Sequence, residues 1–182
     1  MHIAVFGGSG KTGALFIDAA LAAGHTVAAL ARDPSKMAPR PGLSVHQGDM
    51  ASASAVRAAL AGAQAVASAL GTTNRKPNTE LSDGTALILA EMSDAGIDRS
   101  VWVTSIGCGE SRSQLKSFVF RELIVKQLAR HIWADKNRQE NLIRARNTQW
   151  TIIRPGGLTD EPASGKAQVV DGAAPQPARV RV

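Results

Sequence analysis

The chain has 182 residues, of which 44% are hydrophobic and 20% are charged, and it carries a formal net charge of +6. This composition is typical of one globular domain with a single core and excludes a disordered chain. The single cysteine, Cys108, excludes an internal disulfide, and the four histidines are too scattered for a metal site. No leader precedes the first strand and no apolar run could span a bilayer, so we expect a cytoplasmic protein without a membrane partner.

The predicted elements alternate between short apolar strands and helices, which is typical of βαβ units and a parallel sheet. Six strands are predicted over residues 3–6, 26–31, 43–47, 65–70, 100–104 and 149–154. Helices are predicted over residues 11–23, 53–61, 81–95 and 114–146, the last with a break near Ala134, and a short helix follows Pro34. The remaining C-terminal stretch is predicted to be loop with a short strand near Val169.

These elements predict an α/β fold, a Rossmann-type doubly wound parallel sheet, in a single domain over residues 1–182. Residues 1 to about 110 form the predicted cofactor half, and residues from about 111 to 182 form the substrate-side helices and loops. The positive charge lies mainly between residues 112 and 154, with ten Lys and Arg against three Asp and Glu. A nucleic-acid surface and a solvated helix face beside an anion pocket both explain it, and we favour the second.

A glycine loop joins the first strand to its helix, with the sequence Gly7-Gly8-Ser9-Gly10-Lys11-Thr12-Gly13. The first glycine of this G-x-x-G-x-x-G spacing allows a tight turn, the second lets a pyrophosphate approach the helix N-terminus, and the third allows close helix packing. The loop lacks the early glycine of a P-loop, because Val5 stands there, and it lacks the last glycine of a nucleophile elbow, because Lys11 stands there. The loop therefore predicts dinucleotide binding.

Arg32 follows the second strand at the position where NAD-specific sites usually carry an acid for the ribose 2′-hydroxyl. A guanidinium there suits a 2′-phosphate, so NADP(H) is favoured over NAD(H), although Arg32 is also compatible with an ordinary surface role. The neighbouring Asp33 could oppose this preference, or it could serve the turn into Pro34.

Further candidate cofactor residues stand where other strands end, because ligands of open α/β sheets gather at the carboxyl ends of the strands. After the third strand, Asp49 is either an acceptor for the adenine amino group or the N-cap of the next helix. The other candidates at strand ends are Met50, Leu70, Gly71, Thr72, Thr104 and Ser105.

The motifs GGSGKTG, ARD, GDM, ALGT and VTSIG, then Lys136 and WTIIRPGGL, occur in an order that resembles the atypical short-chain dehydrogenase/reductases. The similarity extends to the NAD(P)H-binding proteins related to flavin reductase and to the NmrA-like proteins, and it covers residues 3 to about 159. The resemblance implies NADP(H), with Lys136 near the nicotinamide ribose and a substrate pocket near Ser105, the Lys136 helix and Pro155, Gly156, Gly157 and Leu158.

The chain departs from the family at the proton donor. The wider family pairs its lysine with a tyrosine four residues earlier, whereas Ile132 stands there and the chain contains no tyrosine. His131, in a segment similar to one in flavin reductase, is the candidate catalytic residue beside Ser105 and Lys136, or else a structural histidine. The resemblance also implies a further strand and helix after Val182.

Three functions are compatible with these features. The first is an NADPH-dependent reductase that transfers hydride to a conjugated aromatic acceptor such as a flavin or a quinone, since water can then supply the proton. The second is a non-catalytic NADP(H)-binding sensor or regulatory protein of the NmrA-like type. The third is RNA binding through the basic helix, which we disfavour because interleaved aromatic residues are missing. We expect no metal, and a monomer or a homodimer.

Overall fold

The computed structural model describes residues 1–114, 130–160 and 179–181, and its main feature is a six-stranded parallel sheet. The strands are β1 (His2–Phe6), β2 (Thr26–Ala31), β3 (Leu43–Gln47), β4 (Ala65–Ser68), β5 (Arg99–Val103) and β6 (Gln149–Ile153). The helices are α1 (Lys11–Ala22), α2 (Ala53–Leu60), α3 (Glu80–Asp94) and α4 (Arg130–Arg144). A separate parallel pair joins β7 (Gly157–Thr159) to β8 (Arg179–Arg181).

The strand order is β3-β2-β1-β4-β5-β6, so the direction of chain progress reverses between β1 and β4. At the carboxyl end of β1, Phe6 is paired with Leu30 of β2 on one side and with Ser68 of β4 on the other. In open α/β sheets this reversal opens a crevice in which ligands bind. The sheet therefore places the glycine loop, which follows Phe6, at the mouth of that crevice.

The helices cover the two faces of the sheet unequally. One face packs against α1, which buries Ile17 and Ala20 against the side chains of β1 and β2. The other face carries α2, α3 and α4 around the fully buried Trp102 of β5. Burial of aliphatic residues on both faces of β1 and β2 explains why these strands are continuous apolar runs in the sequence.

The six strands and the α/β fold agree with the sequence prediction, whereas the C-terminal third differs from it. Helix α4 runs through Ala134 without interruption, so the predicted break is wrong, because the buried Asp135 and Lys136 continue one helical face. A 3₁₀ helix over Gly109–Gln114 and the strands β7 and β8 were not predicted. The strand predicted near Val169, and the part of the long helix over 115–129, lie outside the described residues.

The parts of the chain that the structure describes contain neither a membrane-spanning helix nor a candidate metal site. None of the described helices has both the length and the apolar character needed to cross a membrane. Likewise, no group of three or more His, Cys, Asp or Glu side chains among the described residues could hold a metal ion.

Candidate cofactor site

The glycine loop has the geometry that its three spaced glycines predict. Gly7 adopts a φ of +83°, and a Cβ there would lie 2.7 Å from the carbonyl carbon of Ala69, so only glycine fits. A Cβ on Gly13 would overlap the carbonyl oxygen of Gly7, which shows how closely α1 packs on the loop. At Gly10 a Cβ would meet only that same carbonyl oxygen, at 3.4 Å, so this position is open.

The N-terminus of α1 is available to an anion. Gly10 is the N-cap residue of this helix, and no side chain in the described part of the chain accepts a hydrogen bond from its first N–H groups. The first turn carries no acidic residue that would repel an anion. Free N–H groups and the helix dipole together attract a phosphate at this end.

A cleft of about 620 Å³ extends from the glycine loop over the carboxyl ends of β1, β2, β3 and β4. Nine of the predicted cofactor residues line it, namely Gly7, Ser9, Gly10, Arg32, Asp49, Met50, Leu70, Gly71 and Thr72. The polar residues Thr73, Asn74 and Glu80 also line the cleft and were missed. The only sequence signal for them is their place between the fourth strand and the next helix.

Arg32 stands at the rim of the cleft with its guanidinium uncommitted. Among the described residues it forms no ion pair, whereas its neighbour Asp33 is fully engaged in the following turn. The Asp33 carboxylate accepts hydrogen bonds from the Ser35 hydroxyl at 2.6 Å and from the Ser35 backbone at 3.1 Å. These hydrogen bonds lower the pKa of Asp33. Asp33 therefore serves the turn into Pro34 and leaves Arg32 to face the cleft.

The region after β3 excludes one of the two roles considered for Asp49. Ser52 is the N-cap of α2, so the N-cap prediction for Asp49 is wrong. The Asp49 carboxylate instead accepts a hydrogen bond from the backbone of Ala51 at 2.9 Å, within the turn, and lines the cleft. Met50 packs on Gly84 of α3, where a Cβ would come within 2.6 Å of the Met50 sulfur.

The predicted residues that follow β5, and Lys136 in the middle of α4, lie outside this cleft. The Thr104 hydroxyl is buried and donates to Glu140 at 2.7 Å, and the Ser105 hydroxyl donates to the carbonyl of Ile106 at 3.2 Å. Lys136 is 9% exposed, and its ammonium has no hydrogen-bond acceptor among the described residues. Burial lowers the pKa of Lys136. An unpaired ammonium of this kind is suited to a polar ligand.

The remaining predicted residues surround a second, apolar cavity. Thr12, Pro155 and Leu158 line a groove of about 350 Å³ between α1 and the adjacent face of β4, β5 and β6. Ala69 lines both cavities, so the groove adjoins the cleft at the end of β4. Outside the groove, Gly156 lies in the connection from β6 to β7, Gly157 begins β7, and Lys11 forms an exposed ion pair with Asp160 at 2.6 Å.

His131 lies half-buried in the first turn of α4. Its Nε2 accepts a hydrogen bond from the Arg130 guanidinium at 3.0 Å, and Ile132 beside it is also half-buried. Neither residue lines the cleft or the apolar groove. The structure thus brings the glycine loop, Arg32 and Asp49 together, and keeps His131 apart from them.

Several arginines of the basic segment pair within the chain. Arg154 binds Glu140, Arg144 binds Glu110 at 2.7 Å, and Arg138 donates to Asp135 and to the backbone of Asn78. These contacts support the interpretation of the segment as a structural helix face.

The geometry fits a dinucleotide on three observations of this structure. The Gly10 position is open, the N-terminus of α1 is uncapped, and the Lys136 ammonium is unpaired within the described part of the chain. The cleft volume is also in the range of cofactor pockets.

Comparisons with known proteins agree with this fit. A family model described as NAD(P)H-binding matches residues 7–180. Among solved structures, ChuY, an anaerobillin reductase from Escherichia coli O157:H7, is 29% identical to this chain. The alignment covers 100% of this chain and 84% of ChuY, with a TM-score of 0.83.

Two more distant structures share the fold alone. A short-chain dehydrogenase/reductase from Veillonella parvula, in complex with NADP, is 17% identical, with 99% of this chain and 81% of that chain covered and a TM-score of 0.83. The oxidoreductase ylbE from Lactococcus lactis is 19% identical, with 91% and 73% covered and a TM-score of 0.74. The family model and the match to ChuY, together with this shared fold, confirm the resemblance to atypical short-chain dehydrogenase/reductases.

Proposed function

Because the chain belongs to the NAD(P)H-binding family, as an NAD(P)H-dependent oxidoreductase with a Rossmann fold, we propose that it reduces a conjugated acceptor, such as a flavin or a quinone, with NADPH. The observation that carries this proposal is the missing acid. Ile132 stands four residues before Lys136, on the same helical face, and the chain contains no tyrosine. A ring acceptor tolerates this loss, because it delocalises the incoming charge and takes its proton from water.

The preference for NADPH is supported by Arg32. Its guanidinium is uncommitted among the described residues, lies at the rim of the cleft, and can form charge-assisted hydrogen bonds with a 2′-phosphate. Bound NADPH supplies the hydride, and the residues of the chain bind and orient it. The N-terminus of α1 receives the pyrophosphate, Asp49 accepts from the adenine amino group, and Lys136 donates to the nicotinamide ribose.

The apolar groove supports a binding position for the acceptor next to the cofactor cleft. Its rim residues Thr12, Pro155 and Leu158 stand beside the glycine loop and the end of β6, where an acceptor could stack on the nicotinamide. Aliphatic walls desolvate a flat ring without demanding specific hydrogen bonds. ChuY acts as an anaerobillin reductase, so anaerobillin is one candidate acceptor for this chain as well.

The test is NADPH oxidation, followed by its near-ultraviolet absorbance, with FMN, FAD, menadione, dichlorophenolindophenol and anaerobillin as acceptors. We expect turnover with at least one of these acceptors and none with simple ketones. Tight NADPH binding without turnover of any acceptor would contradict the proposal and would support the NADP(H)-binding regulatory alternative instead.

A further inference from the structure

A single buried carboxylate, that of Glu140 on α4, joins the ends of two strands to this helix. Its Oε1 accepts a hydrogen bond from the Thr104 hydroxyl at 2.7 Å, directly after β5. The Arg154 guanidinium, directly after β6, donates to Oε1 at 2.9 Å and to Oε2 at 2.6 Å. Glu140 is 2% exposed, so these contacts are shielded from solvent. Both strand ends and α4 therefore meet at one group.

The contacts of Glu140 extend outward through Arg154. Arg154 also donates to Glu110 in the 3₁₀ helix at 3.3 Å, and Arg144 donates to Glu110 at 2.7 Å. The hydrogen bonds to Glu140 raise the pKa of Arg154, so the guanidinium stays charged. A bidentate contact between a guanidinium and a carboxylate also fixes relative orientation. The network thus holds the 3₁₀ helix against the same strand end.

Lys136 lies one helical turn before Glu140, on the same face of α4. The groups that face its ammonium are the thiol of Cys108 and the carboxylates of Glu140 and Asp135. Burial raises the pKa of Cys108 to about 11, so this thiol is neutral near neutral pH. Asp135 is committed to the backbone of α3 and to Arg138. Glu140 and Asp135 are therefore the two carboxylates that support the charge of Lys136, and of the two only Glu140 also joins the ends of β5 and β6.

We infer that Glu140 is a positioning residue for the cofactor end of the site, acting through Lys136 and through the ends of β5 and β6. This inference rests on the proposed function, in which Lys136 donates to the nicotinamide ribose. Without the Glu140 carboxylate, α4 and the two strand ends lose their common anchor. The lysine is then held less firmly and has less electrostatic support for its protonated form.

The test uses Glu140→Gln, which keeps the shape of the side chain and removes its charge. NADPH affinity is measured by calorimetry from about pH 6 to about pH 10.5, across the range in which a buried lysine titrates. In the wild type, affinity holds while Lys136 is protonated and falls as the pH rises through its lowered pKa. In Glu140→Gln, removal of the anion lowers that pKa further, so we expect this fall about one pH unit earlier.

Two controls separate positioning from general stability. Glu91→Gln changes another buried carboxylate, which Arg57 holds with two hydrogen bonds of 2.9 Å away from the cleft. It should lower the melting temperature without moving the pH dependence of NADPH affinity. In a Lys136→Met background, Glu140→Gln should no longer shift that pH dependence, because the titrating group is gone.

Thr104→Val provides a milder variant, since it removes only the 2.7 Å hydrogen bond to Glu140. We expect NADPH affinity to fall by about three- to tenfold in the wild-type background and to change little in the Lys136→Met background. An unshifted pH profile in Glu140→Gln, or equal losses from Thr104→Val in both backgrounds, would overturn the inference. Failure of the wild type to turn over any acceptor, with these shifts intact, would overturn the proposed reaction alone.

Discussion

At the scale of single residues, Arg32 is the most direct test of cofactor choice. Its guanidinium lines the rim of the cleft and has no ion pair within the described residues. A charge-assisted hydrogen bond to a phosphate contributes about 1.5–3 kcal/mol, so Arg32→Ala should weaken NADPH binding by about tenfold to a hundredfold. NADH binding should barely change, because NADH lacks the 2′-phosphate. Calorimetric titrations with both cofactors measure the difference.

Arg99→Ala is the matched control for Arg32→Ala. Arg99 is the first residue of β5, at the amino ends of the strands and opposite the cleft, and it is exposed. Its removal changes the net charge by the same amount and should leave both affinities unchanged. Equal weakening of NADPH and NADH in Arg32→Ala would show that Arg32 has a structural role and would leave the preference for NADPH unsupported.

The candidate site residues differ in how far the sequence alone could predict them. Gly7 and Gly13 could be predicted, because each has a steric reason for its position that shows in the spacing. The role of Thr104 could not be predicted, because its hydroxyl turns away from the strand end to reach Glu140, which lies 36 residues further along the chain. Glu80 was also missed, because only the packing of α3 brings its first turn to the cleft.

At the scale of elements, a substitution where the glycine loop meets α1 tests cofactor binding independently of folding. Gly10 has an extended conformation open to any residue, and a Cβ there meets only one atom, the carbonyl oxygen of Gly7 at 3.4 Å. We expect Gly10→Val to fold normally and to lose NADPH binding, because the branched side chain occupies the path of the pyrophosphate. Far-ultraviolet circular dichroism and calorimetry with NADPH measure the two effects. Micromolar affinity in this variant would place the dinucleotide elsewhere.

Gly13→Ala is the complementary change, one helical turn further along. Its Cβ would overlap the carbonyl oxygen of Gly7, so the helix must move away from the loop. We expect a loss of stability of about 1–3 kcal/mol, as for other overpacked sites, together with weaker NADPH binding. Urea denaturation measures the loss. Wild-type stability in Gly13→Ala would contradict the close packing of α1 on the loop.

The N-terminus of α3 is capped by a residue of another helix. Its own N-cap, Thr79, makes no capping hydrogen bond, whereas the fully buried Asp135 of α4 accepts from the backbone of Leu81 at 2.9 Å and of Ser82 at 3.3 Å. We expect Asp135→Ala to lower the free energy of unfolding by about 2–4 kcal/mol, because two buried N–H groups lose their acceptor. Urea denaturation measures the change.

Asp83→Ala is the control for Asp135→Ala, since Asp83 is an exposed carboxylate in the same helix turn that, within the described residues, accepts only from the Thr79 hydroxyl. It should cost less than about 1 kcal/mol. Equal losses in the two variants would show that Asp135 does not cap α3. The Asp135 contact also shows why the packing of α4 against α3 could not be predicted from the sequence, since Leu81 lies 54 residues before Asp135.

At the scale of the whole molecule, the sheet explains both the successes and the failures of the sequence prediction. Strands β1 and β2 are buried on both faces, so their apolar runs identify them without knowledge of the fold. Strands β5 and β6 are more open on the face that carries α1, where Ile153 remains 47% exposed in the apolar groove. No local pattern in the sequence predicts a groove of this kind, because it arises where the first turns of α1 lie beside three strands.

The source of the proton in the proposed reduction can be tested at His131. His131 is the only candidate acid proposed near Lys136, yet its Nε2 accepts a hydrogen bond from Arg130, so this nitrogen presents a lone pair rather than a proton. General acid catalysis contributes about 10²–10⁴-fold, and without it the reduction of simple ketones should stay near background. We expect His131→Ala to lower flavin or quinone turnover by no more than about tenfold, through lost positioning alone. His46→Ala, in β3, is the control and should leave turnover unchanged. Steady-state rates with a flavin, a quinone and a simple ketone test this expectation. Ketone reduction by the wild type that disappears in His131→Ala would instead identify His131 as the proton donor.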